Sequence, residues 1–322
     1  MSPAPPLQKI AIVGATGRIG GVFAKALLKT GKHTVTALTR SDSEAAVPSG
    51  CHVVKADYAS EDSLVAALRG QQFLIITLSA RAPPETELAI IDAAVKAGIT
   101  WVMPNMYGGD HTHQGLVKDD LISHRKAPIR RHLEQTGRSW ISVGCGFWYQ
   151  WSLACGEQWY GFDIKNKHVT LFDQGTQKIG TSTWDQCGNA IAALLSLPES
   201  GAELSLDHWR DNALRFCSFR VSQRDMLDSL HRVMGTTDAD WDITHEKTHE
   251  LYQNGLAELK AGDMRGFAKA MYTRYFYPDG AGDYESRHEL ANGILGLPKE
   301  SLDAATKEAV DMVESGWTYM RG

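Results

Sequence analysis

Gly14, Gly17 and Gly20 recur at every third residue in the run Lys9-Ile10-Ala11-Ile12-Val13-Gly14-Ala15-Thr16-Gly17-Arg18-Ile19-Gly20. A turn of this kind can receive a diphosphate. The first glycine lets the chain leave a strand sharply, the second leaves room for phosphate oxygens against the backbone, and the third lets a helix pack closely on the sheet. The helix N-terminus that follows offers free N–H groups and the positive end of its dipole to an anion. Thr16, Arg18 and Ile19 belong to the same turn. Apolar strand, glycine spacing and the amphipathic stretch from Val22 to Lys29 come in the order a dinucleotide site requires, which a bare glycine loop does not.

Thr39-Arg40-Ser41 closes the next apolar strand, where the adenine ribose of a bound dinucleotide would lie. A carboxylate there accepts from a free 2′-OH. A guanidinium flanked by hydroxyls favours a 2′-phosphate instead, through charge-assisted hydrogen bonds; the bland alternative is a solvated surface arginine. Thr77, Leu78 and Ser79 end a later strand, at the carboxyl edge where ligands of open parallel sheets gather.

Lys126 stands just ahead of a helix whose Pro128 suits the first turn. The positive end of that dipole disfavours an ammonium and eases proton exchange, although most lysines are simply solvated. His124 could relay a proton near neutral pH, and Tyr107, Tyr149, His111 and His113 are secondary candidates. A metal on His111 and His113 would lack a third ligand of recognised spacing, so none is expected. The stretch Cys145-Gly146-Phe147-Trp148-Tyr149-Gln150-Trp151 could wall a flat apolar slot for an aromatic substrate, or pack a seam between lobes. No Gly-x-Ser-x-Gly elbow is present and Cys145 has no evident activating partner, which argues against nucleophilic catalysis.

The elements that must position these groups alternate along the first half. Strands are expected at Ile10–Val13, Thr34–Thr39, Cys51–Lys55, Phe73–Leu78, Trp101–Met103 and Ser139–Val143, with helices through Phe23–Leu28, Ser63–Leu68, Glu87–Ala97 and Lys126–Gln135. Right-handed crossovers between them give a doubly wound parallel sheet, a Rossmann α/β fold. Beyond residue 150 the pattern loosens. Lys167–Phe172 and Gln177–Gly180 read as a strand pair joined by Asp173-Gln174-Gly175, Trp184–Leu197 as a helix, and Leu214–Val221 as a strand. Ser222 reads as the N-cap of a helix over Gln223–Met234. The expected organisation is a dinucleotide domain over 1–150 and a smaller interwoven α+β substrate lobe over 151–322, with 181–200 returning to the first domain.

With 322 residues, 43% hydrophobic and 22% charged, the chain has the composition of a soluble globular enzyme. Its net charge of -5 supplies no basic stripe for nucleic acid. Five cysteines without C-x-x-C spacing suggest a reducing compartment. The Pro-rich start lacks an apolar signal core and no run is long enough to span a bilayer, so a cytoplasmic protein is expected.

Several blocks in order resemble the NmrA-like and isoflavone reductase-like proteins, a branch of the atypical short-chain dehydrogenases. Gly14-Ala15-Thr16-Gly17-Arg18-Ile19-Gly20 is similar to the family's phosphate loop, and Arg40 to its arginine for the 2′-phosphate. Ala56-Asp57 followed by Ser63-Leu64 resembles its Gly-Asp…Ser-Leu segment. Pro104-Asn105-Met106-Tyr107-Gly108 stands where the family has Pro-Ser-Glu-Phe-Gly, and Lys126-Ala127-Pro128-Ile129-Arg130 where it has Lys-x-x-x-Arg. Gly146-Phe147 matches its Gly/Asn-x-Phe. The resemblance is good over residues 9–150, fair over 165–200 and thin beyond. Departures at Asn105 and Met106 touch the nicotinamide end, and the Tyr-x-x-x-Lys pair of ordinary short-chain dehydrogenases is missing.

The resemblance implies an NADPH-dependent reductase of a small aromatic or polycyclic secondary metabolite, with Lys126 as general acid. It implies NADP(H) contacts from the glycine turn, Arg40, Asp57, Thr77, Leu78, Ser79, Pro104, Asn105 and Lys126. The substrate would meet Tyr107, Phe147, Trp148, Tyr149 and Trp151. Two other readings stay open: a dinucleotide-sensing regulator without turnover, and a non-redox isomerase or cyclase on the same scaffold. Monomer and homodimer are equally compatible with the sequence.

Overall fold

The computed structural model describes residues 3–319, apart from 80, 81, 111 and 120 and the side chains of 123–125. Eight strands form the central sheet. Seven run in the order Asn212–Arg215, Ser139–Gly144, Trp101–Met103, Phe73–Ile76, Lys9–Val13, Thr34–Arg40 and His52–Ala56, and Tyr107–Gly108 pairs alongside Ser139–Gly144. In chain order these are β1 (Lys9–Val13), β2 (Thr34–Arg40), β3 (His52–Ala56), β4 (Phe73–Ile76), β5 (Trp101–Met103), β6 (Tyr107–Gly108), β7 (Ser139–Gly144) and, much later, β12 (Asn212–Arg215). Every pairing in the sheet is parallel. The strand order reverses between β1 and β4, the switch point where ligands of doubly wound sheets bind.

Strand periodicity explains the layers. Ile10, Ile12, Phe73, Ile75, Trp101 and Met103 face helices α1 (Arg18–Lys29) and α8 (Trp184–Leu195), while Ala11, Val13, Leu74, Ile76 and Val102 face α2 (Glu61–Leu68), α3 (Pro84–Lys96) and α5 (Ser123–Thr136). Both faces are apolar because both are covered. Thr183 caps α8 by accepting from Gln186 N at 3.0 Å, and α8 then lies against α1.

The second core gathers α4 (Gln114–Asp119), α6 (Tyr149–Ala154), α7 (Glu157–Tyr160), α9 (Gln223–Met234), α10 (Thr248–Lys260), α11 (Arg265–Tyr275) and α13 (Leu302–Glu314) around Tyr160, Phe162, Tyr272 and Phe276. The short α12 (Ala291–Ile294) joins the first core through Ala291. Two small sheets complete this lobe: β8 (Phe147–Trp148), β11 (Ile179–Ser182) and β13 (Phe219–Val221) in one, β9 (Phe162–Asp163), β10 (His168–Phe172) and β14 (Asp242–Glu246) in the other. Ser222 caps α9 in a capping box with Asp225, and Gly235 closes that helix in the left-handed region.

Three expectations change. The strand pair over 167–180 does not exist: β10 pairs with β14 and β9, while β11 pairs with β13 and β8. Asp173 does turn the chain, but its carboxylate holds Thr248 of α10, so the turn separates two sheets instead of folding one hairpin. The expected strand Leu214–Val221 divides into β12, in the central sheet, and β13, in the lobe. Helix α5 begins at Ser123, so Lys126 lies within its first turns and Pro128 inside it, rather than at its start.

Candidate cofactor and active site

β1 delivers the chain into the glycine turn at the switch point. Gly14 has φ +85, and a Cβ there would lie 2.4 Å from Thr77 O. Gly20 packs so closely that a Cβ would meet Gly14 O at 2.3 Å. The turn closes through Gly17 N donating to Gly14 O at 2.9 Å. Gly17 is the extended N-cap of α1, supplies no side-chain cap, and no acidic residue stands in the first turn. The helix therefore starts with uncapped N–H groups beside exposed Thr16 and Gly17, an arrangement that fits an anion.

Arg18 departs from a simple solvated role. Its guanidinium carbon lies 5.7 Å from the ring centre of Trp151, 5.8 Å from Trp184 and 5.6 Å from Trp317. One of its terminal nitrogens and the indole N–H groups of Trp151 and Trp184 are buried without an acceptor. Desolvation lowers the Arg18 pKa from its ordinary value. No signal in the sequence linked this arginine to Trp317, almost 300 residues away.

Arg40 ends β2 opposite Ala56 of β3. It is exposed, with Asp42 3.6 Å from its Nε, so its guanidinium is open to a further anion. Asp57 lies beside it, also exposed, receiving Ala59 N at 2.9 Å. Thr77 is placed differently from a ligand-facing hydroxyl: it donates back to Val13 O at 2.8 Å and locks β4 to β1 under the turn.

At the other end of the carboxyl edge, Leu78 and Ser79 line a pocket with Pro83, Glu87, Asn105, Met106, Lys126 and Ile129. Buried Pro104 leads into Asn105, whose Nδ2 donates to Leu78 O at 3.0 Å. Asn105 N donates to Glu87 Oε1 at 2.7 Å. Lys126 Nζ donates to Tyr107 O at 3.0 Å, so the amine reaches the sheet edge from α5. Glu87 had no signal in the sequence, being one acid among the polar positions of a helix. Burial pushes its carboxyl up to about 7, against the lowering pull of Asn105 N–H and Lys126.

Two expected site residues are corrected. The Tyr107 hydroxyl donates to Ile76 O at 2.9 Å and its ring rests on Phe23, with centroids 5.6 Å apart, so the phenol is tied beneath the edge instead of serving as an acid or substrate contact. Burial, with Glu87 and Cys145 nearby, holds its pKa well above the ordinary value. Tyr149 is fully buried in the second core, its hydroxyl 2.7 Å from that of Thr306, and cannot wall an open slot. Phe147 is half-buried and stacks on Tyr272 at 3.8 Å, while Trp148 meets Trp151 edge-on at 6.1 Å. The side chain of His124 and all of His111 lie outside the described residues. His113 Nδ1 accepts from Leu116 N at 3.1 Å, a local role in starting α4. Among the described residues no group of three or more acidic, histidine or cysteine side chains could hold a metal ion. Nor is any described helix long and apolar enough to cross a membrane.

Fold and turn together define a Rossmann-type α/β protein with a glycine turn at the strand switch. The model of the NmrA-like family matches residues 6–156, and over this part the chain is similar to that family. Over 303 residues, 92% of this chain and 96% of the relative, it is 27% identical to oxidoreductase aprR of Aspergillus flavus. Among solved structures, an isoflavone reductase superposes with a TM-score of 0.74 at 20% identity, covering 95% of this chain and 100% of that one. The binary complex of leucoanthocyanidin reductase with NADPH from Vitis vinifera superposes with a TM-score of 0.70 at 14% identity, covering 94% and 99%. At these identities the likeness to the solved structures is one of fold.

Proposed function

We propose that the protein is an NADPH-dependent oxidoreductase that reduces a small aromatic or polycyclic molecule, with Lys126 as proton donor. The observation that carries this reading is the meeting of the uncapped glycine turn and the Lys126 pocket at one edge of the sheet, on either side of the strand switch. Relatives named as oxidoreductases and NADPH-bound neighbours of the same fold support it.

The turn fits a diphosphate because exposed Gly17 carries no side chain and leaves the uncapped N–H groups at the start of α1 open to phosphate oxygens. Exposed Arg40 fits a 2′-phosphate, being a solvent-facing cation at the end of β2 whose only ion pair among the described residues is the exposed one with Asp42. When bound, the dihydronicotinamide supplies a hydride. The chain's own part is orientation and a proton. The Lys126 amine, which donates to Tyr107 O and belongs to the pocket lining, is the group to which this reading gives the proton, and Asn105 ties the loop that forms its wall. Phe147, Trp148 and Trp151 present half-buried rings on the lobe side.

Stopped-flow loss of dihydronicotinamide absorbance against a panel of aromatic ketones, enones and quinones tests the reading. Lys126→Ala should lower kcat by about 100-fold or more while leaving NADPH affinity within a few-fold. Tight binding of both redox forms with no turnover of any acceptor would overturn the enzyme in favour of a sensor.

A further inference from the structure

Arg215 closes β12 at the carboxyl edge of the central sheet, in register with Gly144 of β7 and, across it, with Gly108 of β6. Gly144 makes room for it, since a Cβ there would lie 3.1 Å from the Arg215 Cγ. The arginine side chain is 12% exposed, and its Nε is buried without a hydrogen-bond partner among the described residues. Its one ion pair among those residues is with Asp110, 3.7 Å from Nη2 and too long for a hydrogen bond. A guanidinium carries five N–H donors, and leaving such donors unmade inside a protein is costly.

Asp110 does not need this arginine. Its Oδ1 receives Thr112 N at 3.0 Å and the Thr112 hydroxyl at 2.6 Å. Its Oδ2 receives His288 Nε2 at 2.7 Å and Arg287 Nη2 at 3.3 Å. Two donors on each oxygen fill the lone-pair sites of a carboxylate. Arg287 is occupied as well, because it also donates to the carbonyls of Gly280 and Ala281. Two guanidinium charges against one carboxylate leave an excess of one positive charge before His288 is counted.

The position of that charge matters as much as its sign, because ligands of open parallel sheets bind at this edge. Leu214 points into the core against α1 and α8. Arg215, next along the strand, therefore points to the opposite face, the one α5 covers with Ile129 and Leu133. Lys126 reaches the edge from that same helix and donates to the carbonyl of Tyr107, the neighbour of Gly108. β12 and β6 stand two strand spacings apart, about 10 Å, the reach of an aromatic ring with a short acidic side chain. The half-buried ring of Phe147 stands between them, one residue past Gly146, whose N donates to Gly108 O at 3.0 Å.

We propose that Arg215 is an anion subsite of the substrate pocket and that the molecule reduced is an aromatic acid, whose carboxylate this arginine receives. The planar guanidinium fork matches the two oxygens of a carboxylate, and one excess positive charge matches a monoanion. Naming the acid as substrate rests on the reductase reading, whereas its capture by Arg215 does not.

Calorimetric titration of the chain with trans-cinnamate and with its neutral isostere cinnamamide, in the presence and absence of NADP+, tests this. Cinnamate should bind at least about 10-fold more tightly, because the amide cannot form the arginine–carboxylate pair. Arg215→Met should bring cinnamate down to the affinity of the amide, and Arg215→Gln gives the same comparison should the methionine variant not fold. Arg215→Lys should recover part of the difference, as a point charge without the fork. Equal affinity of the two probes for the wild type, or no saturable cinnamate binding at about 10 mM, would overturn the subsite. A preference kept in Arg215→Met but lost in Lys126→Ala would give the carboxylate to the lysine and overturn it too. A carboxylate preference that needs Arg215, in a chain that never oxidises NADPH, would uphold the subsite and overturn the reductase alone.

Discussion

The guanidinium carbon of Arg18 lies 5.6 Å from the ring centre of Trp317, so the first turn of α1 and the carboxyl-terminal segment share one cation. Trp151 of α6 and Trp184 of α8 complete the enclosure, and Arg18 makes no salt bridge with a described carboxylate. Rings replace the missing counter-ion through their negative faces, at about 0.5–2 kcal/mol each. Trp317→Ala should therefore lower the unfolding free energy by about 1–2 kcal/mol, read as an earlier midpoint in urea with an unchanged slope. An unmoved midpoint would show that the carboxyl-terminal ring contributes nothing.

Gly17 and Gly20 separate binding from folding. A Cβ at Gly20 would meet Gly14 O at 2.3 Å, whereas at Gly17 the same atom would be 3.1 Å away. Gly20→Ala should cost about 2–4 kcal/mol of stability, because α1 can no longer seat against the turn. Gly17→Ala should fold with nearly native stability yet bind NADPH at least about 10-fold more weakly, since the methyl group stands where the phosphates approach. Calorimetry and thermal unfolding on both variants check this; native NADPH affinity in Gly17→Ala would remove the diphosphate from the cradle.

Arg40 should set the choice of dinucleotide. Arg40→Ala is expected to weaken NADPH by about 10- to 100-fold and leave NADH almost unchanged, because only the former carries a 2′-phosphate. Equal losses for both nucleotides, measured by intrinsic fluorescence quenching, would place the arginine elsewhere.

Glu87 also makes a stability prediction that needs no ligand. Its folded pKa of about 7 lies above that of an unfolded glutamate, so the native state binds the extra proton. The carboxyl's contribution is fully present below the unfolded pKa and is lost as pH rises through about 7. The loss should amount to no more than about 4 kcal/mol. Glu87→Gln should be the more stable protein at pH above this range and show a flatter dependence of Tm on pH. A wild-type curve that rises across the same interval would contradict the sign.

Much of the nucleotide half was legible because its signals are local. Alternating apolar strands, the glycine spacing and the glycines after helices each act within about ten residues, and β1 to β5 fall within a few residues of their expected bounds. The block around Lys126 marked a helix there, although that helix starts three residues earlier than Lys126 itself. Aromatic residues after β7 were visible as a cluster but not as individuals. Tyr149 and Phe147 are two residues apart, yet one is sealed in the core against Thr306 and the other is half-exposed on Tyr272.

The sequence alone determined the parallel sheet, its switch point and the glycine cradle, since a chain of this periodicity and turn chemistry has few other ways to satisfy its backbone and bury its apolar faces. Tertiary structure alone decided which polar groups lose water. It sealed the Tyr107 phenol under Ile76, brought Trp317 to Arg18, and set Glu87 against Asn105 in the lysine pocket. Those outcomes depend on desolvation by residues far apart in the chain, and desolvation has no signature in a local pattern.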